Sequence, residues 1–171
     1  NLFNEILKTL YWPVEDGVEM TAARMNKQLE AFDDKYRSLI EANVALWSGV
    51  DPVAGSEAEL RTPSALRIQQ AKEELIEAAM QFDVVVIDTL REACGSADEV
   101  RDDMHVKQLL QEIAIRANVA VIGTHHLSKE ASKGKERITN VSASGFSRTM
   151  ANGSMQIALE TSLVKNKEIH I

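Results

Sequence analysis

One cysteine, Cys94, stands in the 171 residues, which excludes an internal disulfide and any cysteine-based zinc knuckle. A reduced, partly buried thiol is the expectation for it. Long apolar runs are missing too. None approaches a membrane span and no signal peptide is visible, so a cytoplasmic location with no membrane partner is expected. Positive charge is in deficit: Lys and Arg number 19 against 26 Asp and Glu, a formal net charge of −7. That argues against a generally basic, nucleic-acid-coating surface, though not against one local basic loop. There is no internal repeat, low-complexity segment or linker, so residues 1–171 are read as a single domain. The hydrophobic share of 44% is too high for a disordered chain. The sequence starts at Asn1 rather than Met, as a fragment would.

What the chain does have is the stretch from Asp83 to Leu90, Asp-Val-Val-Val-Ile-Asp-Thr-Leu. Its run of apolar β-branched residues lacks the alternation of a half-exposed strand, so the strand is expected to be covered on both sides. It ends on Asp88, where the chain must leave the sheet. In an open parallel sheet ligands gather at the carboxyl ends of the strands, so an acid there faces the crevice. Either Asp88 holds, directly or through water, the magnesium of a nucleoside triphosphate, or it caps the following turn.

The rest of the chain is placed around that strand. Residues 1–8 have a helix-like spacing in a segment too short to stand alone. Residues 9–14 predict a strand with Pro13 near its end, followed at once by Glu15, Asp16 and Gly17. Asp16 or Gly17 can start a helix with Val18, Ala22, Met25, Leu29 and Phe32 on one face. Acids at a helix start suit its dipole, so capping is the plain reading of Glu15 and Asp16. A helix over 36–42, a strand over 44–48, an irregular connection over 49–63 and a helix from 63–64 to about 81 come next. Beyond the central strand the pattern predicts a polar loop over 91–98 and a helix from about 100 to 117. Val106, Leu109, Leu110, Ile113 and Ala114 face inward on that helix. A buried strand over 119–123 then runs into Thr124, His125 and His126. Residues 127–142 form a polar loop with a local excess of positive charge, Lys129, Lys133, Lys135 and Arg137 against Glu130 and Glu136. A short helix over 144–152 and strands over 154–160 and 162–170 close the chain. Strands alternating with helices imply an α/β fold with a parallel sheet covered on both faces.

Three strand ends thus carry polar groups: Glu15 with Asp16, Asp88 with Thr89, and Thr124 with His125 and His126. In a parallel sheet all lie at one edge. Phosphoryl transfer needs such a set: an acid for magnesium, an acid for the attacking water, and a polar group that feels the γ-phosphate. For the paired histidines a zinc site is the weaker reading, because no cysteine or third close ligand accompanies them.

The sequence resembles the RecA-like ATPases, and among them the RepA-type hexameric replicative helicases of plasmids and phages, from about Thr9 to Asn166. "LYWPVEDGVEMTAARMNKQL" is similar to that family's strand ending in Glu-Asp before a helix. "VVVIDTLREA" is similar to its Walker B strand, "VIGTHHLSKE" to its strand ending in paired histidines before Lys, and "SASGFSRTMANGSMQIALE" to its small-residue helix and following strand. "LVKNK" is similar to its Lys-Asn segment. The resemblance implies a RecA-like α/β core, a mostly parallel sheet with helices on both faces and antiparallel strands at the C-terminal end. It implies ATP and Mg2+ as cofactors, a homo-hexameric ring, and ATP hydrolysis coupled to movement on single-stranded DNA. Carried over, Glu15 polarises the attacking water, Asp88 holds magnesium, and His125 or His126 senses the γ-phosphate or couples it to DNA. Asp16, Thr89 and Arg148 bind the nucleotide. Lys129, Lys133, Lys135 and Arg137 stand where the DNA-facing loop lies.

Two departures qualify this. No Gly-x-x-x-x-Gly-Lys-Ser/Thr occurs in the sequence, and that motif supplies the N–H groups and lysine that hold the phosphates. The family carries it ahead of the Glu-Asp strand, so either the segment lies beyond Asn1 or the chain is an ATPase-dead relative. Without the phosphate-loop strand a gap is expected beside residues 119–123, which the chain must close itself, fill with a strand from a neighbour or leave as an exposed apolar edge. Weak ATP binding with negligible hydrolysis is expected as well. Second, Ser144 replaces the arginine that the family contributes across the subunit interface, leaving Arg148 or Arg137 to substitute. A regulatory or protein-interaction domain on the same scaffold is the alternative function. A phospho-acceptor receiver domain shares the strand-then-Asp pattern but gives the paired histidines no role.

Overall fold

The computed structural model describes residues 6–98, 101–126, 161–164 and 167–170. Thr9–Trp12 (β1), Val44–Leu46 (β2), Val84–Ile87 (β3) and Ala120–Gly123 (β4) form one sheet in the order β2-β1-β3-β4, with every pairing parallel. Parallel neighbours need crossover connections. Val18–Leu29 (α1) and Asp34–Asn43 (α2) join β1 to β2, and Ser64–Ala79 (α3) joins β2 to β3. Leu90–Ala93 (α4) and Asp103–Ala117 (α5) join β3 to β4. The α/β class with a parallel sheet is what the chain forms.

The direction of each crossover decides its face. The step from β1 to β2 runs one way along the sheet, and the steps to β3 and β4 run the other way. Right-handed connections therefore put α1 and α2 on one face and α3 and α5 on the other. The main core lies under the second pair, where Leu75, Ile76, Ala79, Ile113 and Ala117 meet Leu10, Trp12, Val85 and Ile87. Val84 and Val86, on the other face of β3, are half-buried. The apolar run is covered fully on one side and partly on the other.

Local chemistry sets the boundaries. Pro13 has no N–H to give the ladder, and β1 stops before it rather than at residue 14. Gly17 precedes α1 at φ 77°, a backbone that residues with a Cβ avoid, and its N–H returns to the Pro13 carbonyl at 2.8 Å. Asn118 ends α5 in the left-handed region at φ 56°, its N–H on the Ala114 carbonyl. Across α3 and α5, Lys72 meets Glu112 at 2.9 Å, and Arg116 meets Glu112 at 2.8 Å and Glu73 at 2.5 Å. The hydrogen bond from Arg116 holds Glu73 below the usual carboxylate range, and those from Lys72 and then Arg116 do the same for Glu112.

Several boundaries differ from the sequence reading. The loop expected over 91–98 opens instead with α4, because Ala93, Cys94 and Ala97 are small, apolar and buried, the latter two packing on Val106. Cys94 is wholly buried, not partly, and burial pushes its thiol up to about 12. Phe32 lies beyond the end of α1 and is exposed, so it does not join that helix's inward face. Residues 6–8 carry no helix, β2 ends at Leu46 rather than 48, and a short 3-10 turn, Glu59–Arg61, interrupts the 49–63 connection. The strand expected over 162–170 is two antiparallel strands, Thr161–Val164 (β5) and Lys167–His170 (β6), with Val164 opposite Lys167. The alternation Leu163, Lys165, Lys167, Ile169 runs through the reversal and conceals it. The strand expected to be buried over 119–123 is not: among the described residues β4 is the sheet edge, its residues are exposed or half-buried with Ile122 52% exposed, and only Val119 before it is buried. The helix over 144–152 and the strand over 154–160 fall outside the described residues.

Candidate functional site

The crossovers leaving β1 and β3 depart to opposite faces, so the crevice of this sheet opens between the carboxyl ends of those two neighbours. Glu15 follows β1 and Asp88 follows β3. The backbone locks the two ends together: the Asp88 N–H donates to the Trp12 carbonyl at 2.9 Å, and the Glu15 N–H to the Asp88 carbonyl at 3.1 Å. The end of β4 is tied in as well. The Thr124 N–H donates to the Ile87 carbonyl at 3.0 Å, and the Leu90 N–H to the Thr124 carbonyl at 3.0 Å. The Asp88–Thr89 peptide bond is cis.

The Asp88 carboxylate accepts a hydrogen bond on each oxygen. The Tyr11 hydroxyl donates to Oδ2, and the Thr124 hydroxyl to Oδ1 at 2.5 Å. Burial, and then the contact with Asp88, push the Tyr11 phenol well above its ordinary range, so it stays a donor. An ionised carboxylate offers about four lone-pair sites, so two remain for something else. The His126 Nε2 lies 3.5 Å from Glu15 Oε2, and both side chains are open to solvent. Asp16 is taken by Arg24 of α1. The hydroxyl of Thr89 is buried without a hydrogen-bond partner among the described residues.

These donors suit one kind of cation. Among the described residues no group of three or more His, Cys, Asp or Glu side chains could hold a metal unaided. Magnesium takes one or two carboxylates, several waters and the oxygens of a phosphate, rather than a cage built by the protein. An Asp88 with an open lone pair on each oxygen among the described residues fits that donor set.

Glu15, Asp88 and His126 are thus brought to one place, with Thr89 following Asp88 in the chain and His125 half-buried next to His126. Asp16 is directed to α1. Lys129, Lys133, Lys135, Arg137 and Arg148 lie outside the described residues. The sequence reading missed Tyr11, Thr124 and Arg24 as partners of the acids. The register carried a signal for the first two: Tyr11 pairs with Val86, whose side chain shares a face with that of Asp88, and Gly123 pairs with Ile87, so Thr124 falls beside Asp88.

The model of the AAA domain family matches residues 2–132, about three quarters of the chain. The chain belongs to that family. The AAA domain is of P-loop ATPase type, so this is an ATPase-type domain with nucleotide binding as its general property. The match contains Glu15, Asp88, His125 and His126 and stops before Lys133. It supports the P-loop ATPase superfamily in the sequence reading without singling out the RepA-type helicases. No curated protein matches the chain. Among the described residues no helix is long and apolar enough to cross a membrane.

Proposed function

We propose that this AAA domain is the ATP-hydrolysing core of a replicative helicase of RepA type, which couples turnover to movement along single-stranded DNA as a homo-hexameric ring. One observation carries the reading: Glu15 and Asp88 stand side by side at the switch point of a parallel sheet, their strand ends joined by hydrogen bonds of 2.9 and 3.1 Å. Asp88 would hold Mg2+, and Thr89 and Arg148 would contact the ATP. When bound, magnesium supplies charge neutralisation on the phosphates. Glu15 would orient the attacking water and accept its proton. His126, 3.5 Å from Glu15, is placed to respond to whatever binds next to that acid, and His125 would carry the response toward the basic residues Lys129, Lys133, Lys135 and Arg137 on DNA. Asp16, paired with Arg24, would act through α1.

The test is phosphate release from Mg-ATP by the full-length protein, with and without single-stranded DNA. DNA is expected to raise turnover, and Glu15→Gln to lower it about 10²- to 10⁴-fold while ATP binding persists. Turnover in Glu15→Gln equal to the wild type would refute the role of Glu15. A full-length protein that binds no Mg-ATP would establish the regulatory or interaction domain instead.

A further inference from the structure

Asp88 is not a bare acid at a strand end, and among the described residues its side chain caps no helix. The short helix that follows has Thr89 at its start and no side-chain cap, while the Leu90 N–H goes to the Thr124 carbonyl. Its carboxylate is engaged instead by one hydroxyl from each flanking strand end, Tyr11 from β1 and Thr124 beyond β4. Both donors are neutral. An Arg or Lys in either place would orient the carboxylate and also cancel its charge, in competition with any arriving cation. Neutral hydroxyls orient it and leave the charge in place. They occupy one site on each oxygen and, among the described residues, leave the other pair open.

We propose that Tyr11 and Thr124 are positioning residues, a pair of neutral hydroxyls that fix the plane of the Asp88 carboxylate for a divalent cation. The inference rests on the reading of Asp88 as the cation's carboxylate. Outer partners of this kind fix the orientation of a ligand, and losing one costs about 10- to 100-fold in metal affinity. A hydroxyl serving only the fold would leave metal affinity untouched when removed.

Mn2+, a paramagnetic stand-in for Mg2+, allows the measurement without turnover. The full-length protein is titrated with Mn2+ in the presence of ATP, and free Mn2+ is read by electron paramagnetic resonance. Thermal unfolding is recorded on the same samples. Tyr11→Phe, which removes one oxygen and keeps the ring, and Thr124→Val are each expected to weaken Mn2+ binding about tenfold or more. Thr124→Ser, which keeps the hydroxyl, should bind as the wild type does. Asp88→Asn separates the two levels of the argument. If it leaves Mn2+ affinity unchanged, Asp88 is not the cation's ligand and both the reading and the inference fall. If it abolishes binding while Tyr11→Phe and Thr124→Val bind normally, only the positioning role is overturned. A loss in Thr124→Ser as large as in Thr124→Val would assign the effect to packing and overturn it as well.

Discussion

Gly123 is where packing and site meet, and a substitution there tests both. A Cβ built on Gly123 would sit 2.6 Å from both Cδ1 and Cγ of Leu90 and 2.8 Å from Cδ2. Because Cγ is among the clashing atoms, rotating only the end of the leucine does not relieve the contact. Leu90 is buried, and its N–H is tied to the Thr124 carbonyl at 3.0 Å, so it has nowhere to retreat. Overpacking of this sort costs about 1–3 kcal/mol. Replacing glycine by alanine also lowers the entropy of the unfolded chain, which offsets about 0.4–1 kcal/mol. Gly123→Ala should therefore destabilise by about 1–2 kcal/mol net, on the same principles. Leu90→Ala alone empties a buried site and should cost about 2–5 kcal/mol. In the double variant the new methyl occupies space that Leu90 has vacated and the clash is gone. The double variant should then be more stable than the sum of the single effects by the clash energy of about 1–3 kcal/mol, within the range seen for side chains in contact. Urea unfolding followed by the fluorescence of Trp12 and Trp47 supplies all the values needed. Additivity within about 0.5 kcal/mol, or a Gly123→Ala protein as stable as the wild type, would refute this account of how β4 and Leu90 pack.

Two further tests address the helices. Ile113 is fully buried while Ile115, on the same helix, is 79% exposed. Ile113→Ala should cost about 2–5 kcal/mol and Ile115→Ala about 0.5 kcal/mol or less in the same unfolding assay, and equal losses would mean that α5 is turned the wrong way. The second concerns the ion pairs of Arg116 with Glu73 and Glu112. Both carboxylates are held below their ordinary value of 4.5, Glu73 by Arg116 and Glu112 by Lys72 and then Arg116, so they bind fewer protons folded than unfolded. Their contribution is fully present above that value and is lost as pH falls through the lower, folded one. The stability difference between wild type and Arg116→Gln should therefore be constant near neutral pH, shrink in acid, and shrink in high salt, because the pairs are surface-exposed. A difference that grows on acidification would contradict the assignment.

The buried periodicities of this chain were legible because they are repeated. Ile68, Leu75, Ile76 and Ala79 mark the inner face of α3, and Val106, Leu109 and Ile113 that of α5, at the spacings that helical geometry demands. Other features were hidden by residues that satisfy two patterns at once. Ala93, Cys94 and Ala97 sit in a polar stretch, and only tertiary contact, of Ala93 with the main core and of Cys94 and Ala97 with Val106, shows that they pack. Leu163 to Ile169 keeps strand alternation on both sides of a reversal, so periodicity could not place the turn.

The site divides in the same way, for a physical reason. Asp88 and Glu15 could be found from sequence because each terminates an apolar run, and a charge cannot continue into a core. What surrounds them depends on register, which no single strand specifies. Tyr11 reads locally as an apolar strand residue, and its hydroxyl acquires a role only when β1 lies beside β3 with Tyr11 opposite Val86. Thr124 gains its role in the same way, through the pairing of Gly123 with Ile87. A one-residue slip of either neighbour would turn its hydroxyl to the other face and leave Asp88 without that partner. The acid is thus a property of one strand, and its orientation is a property of three.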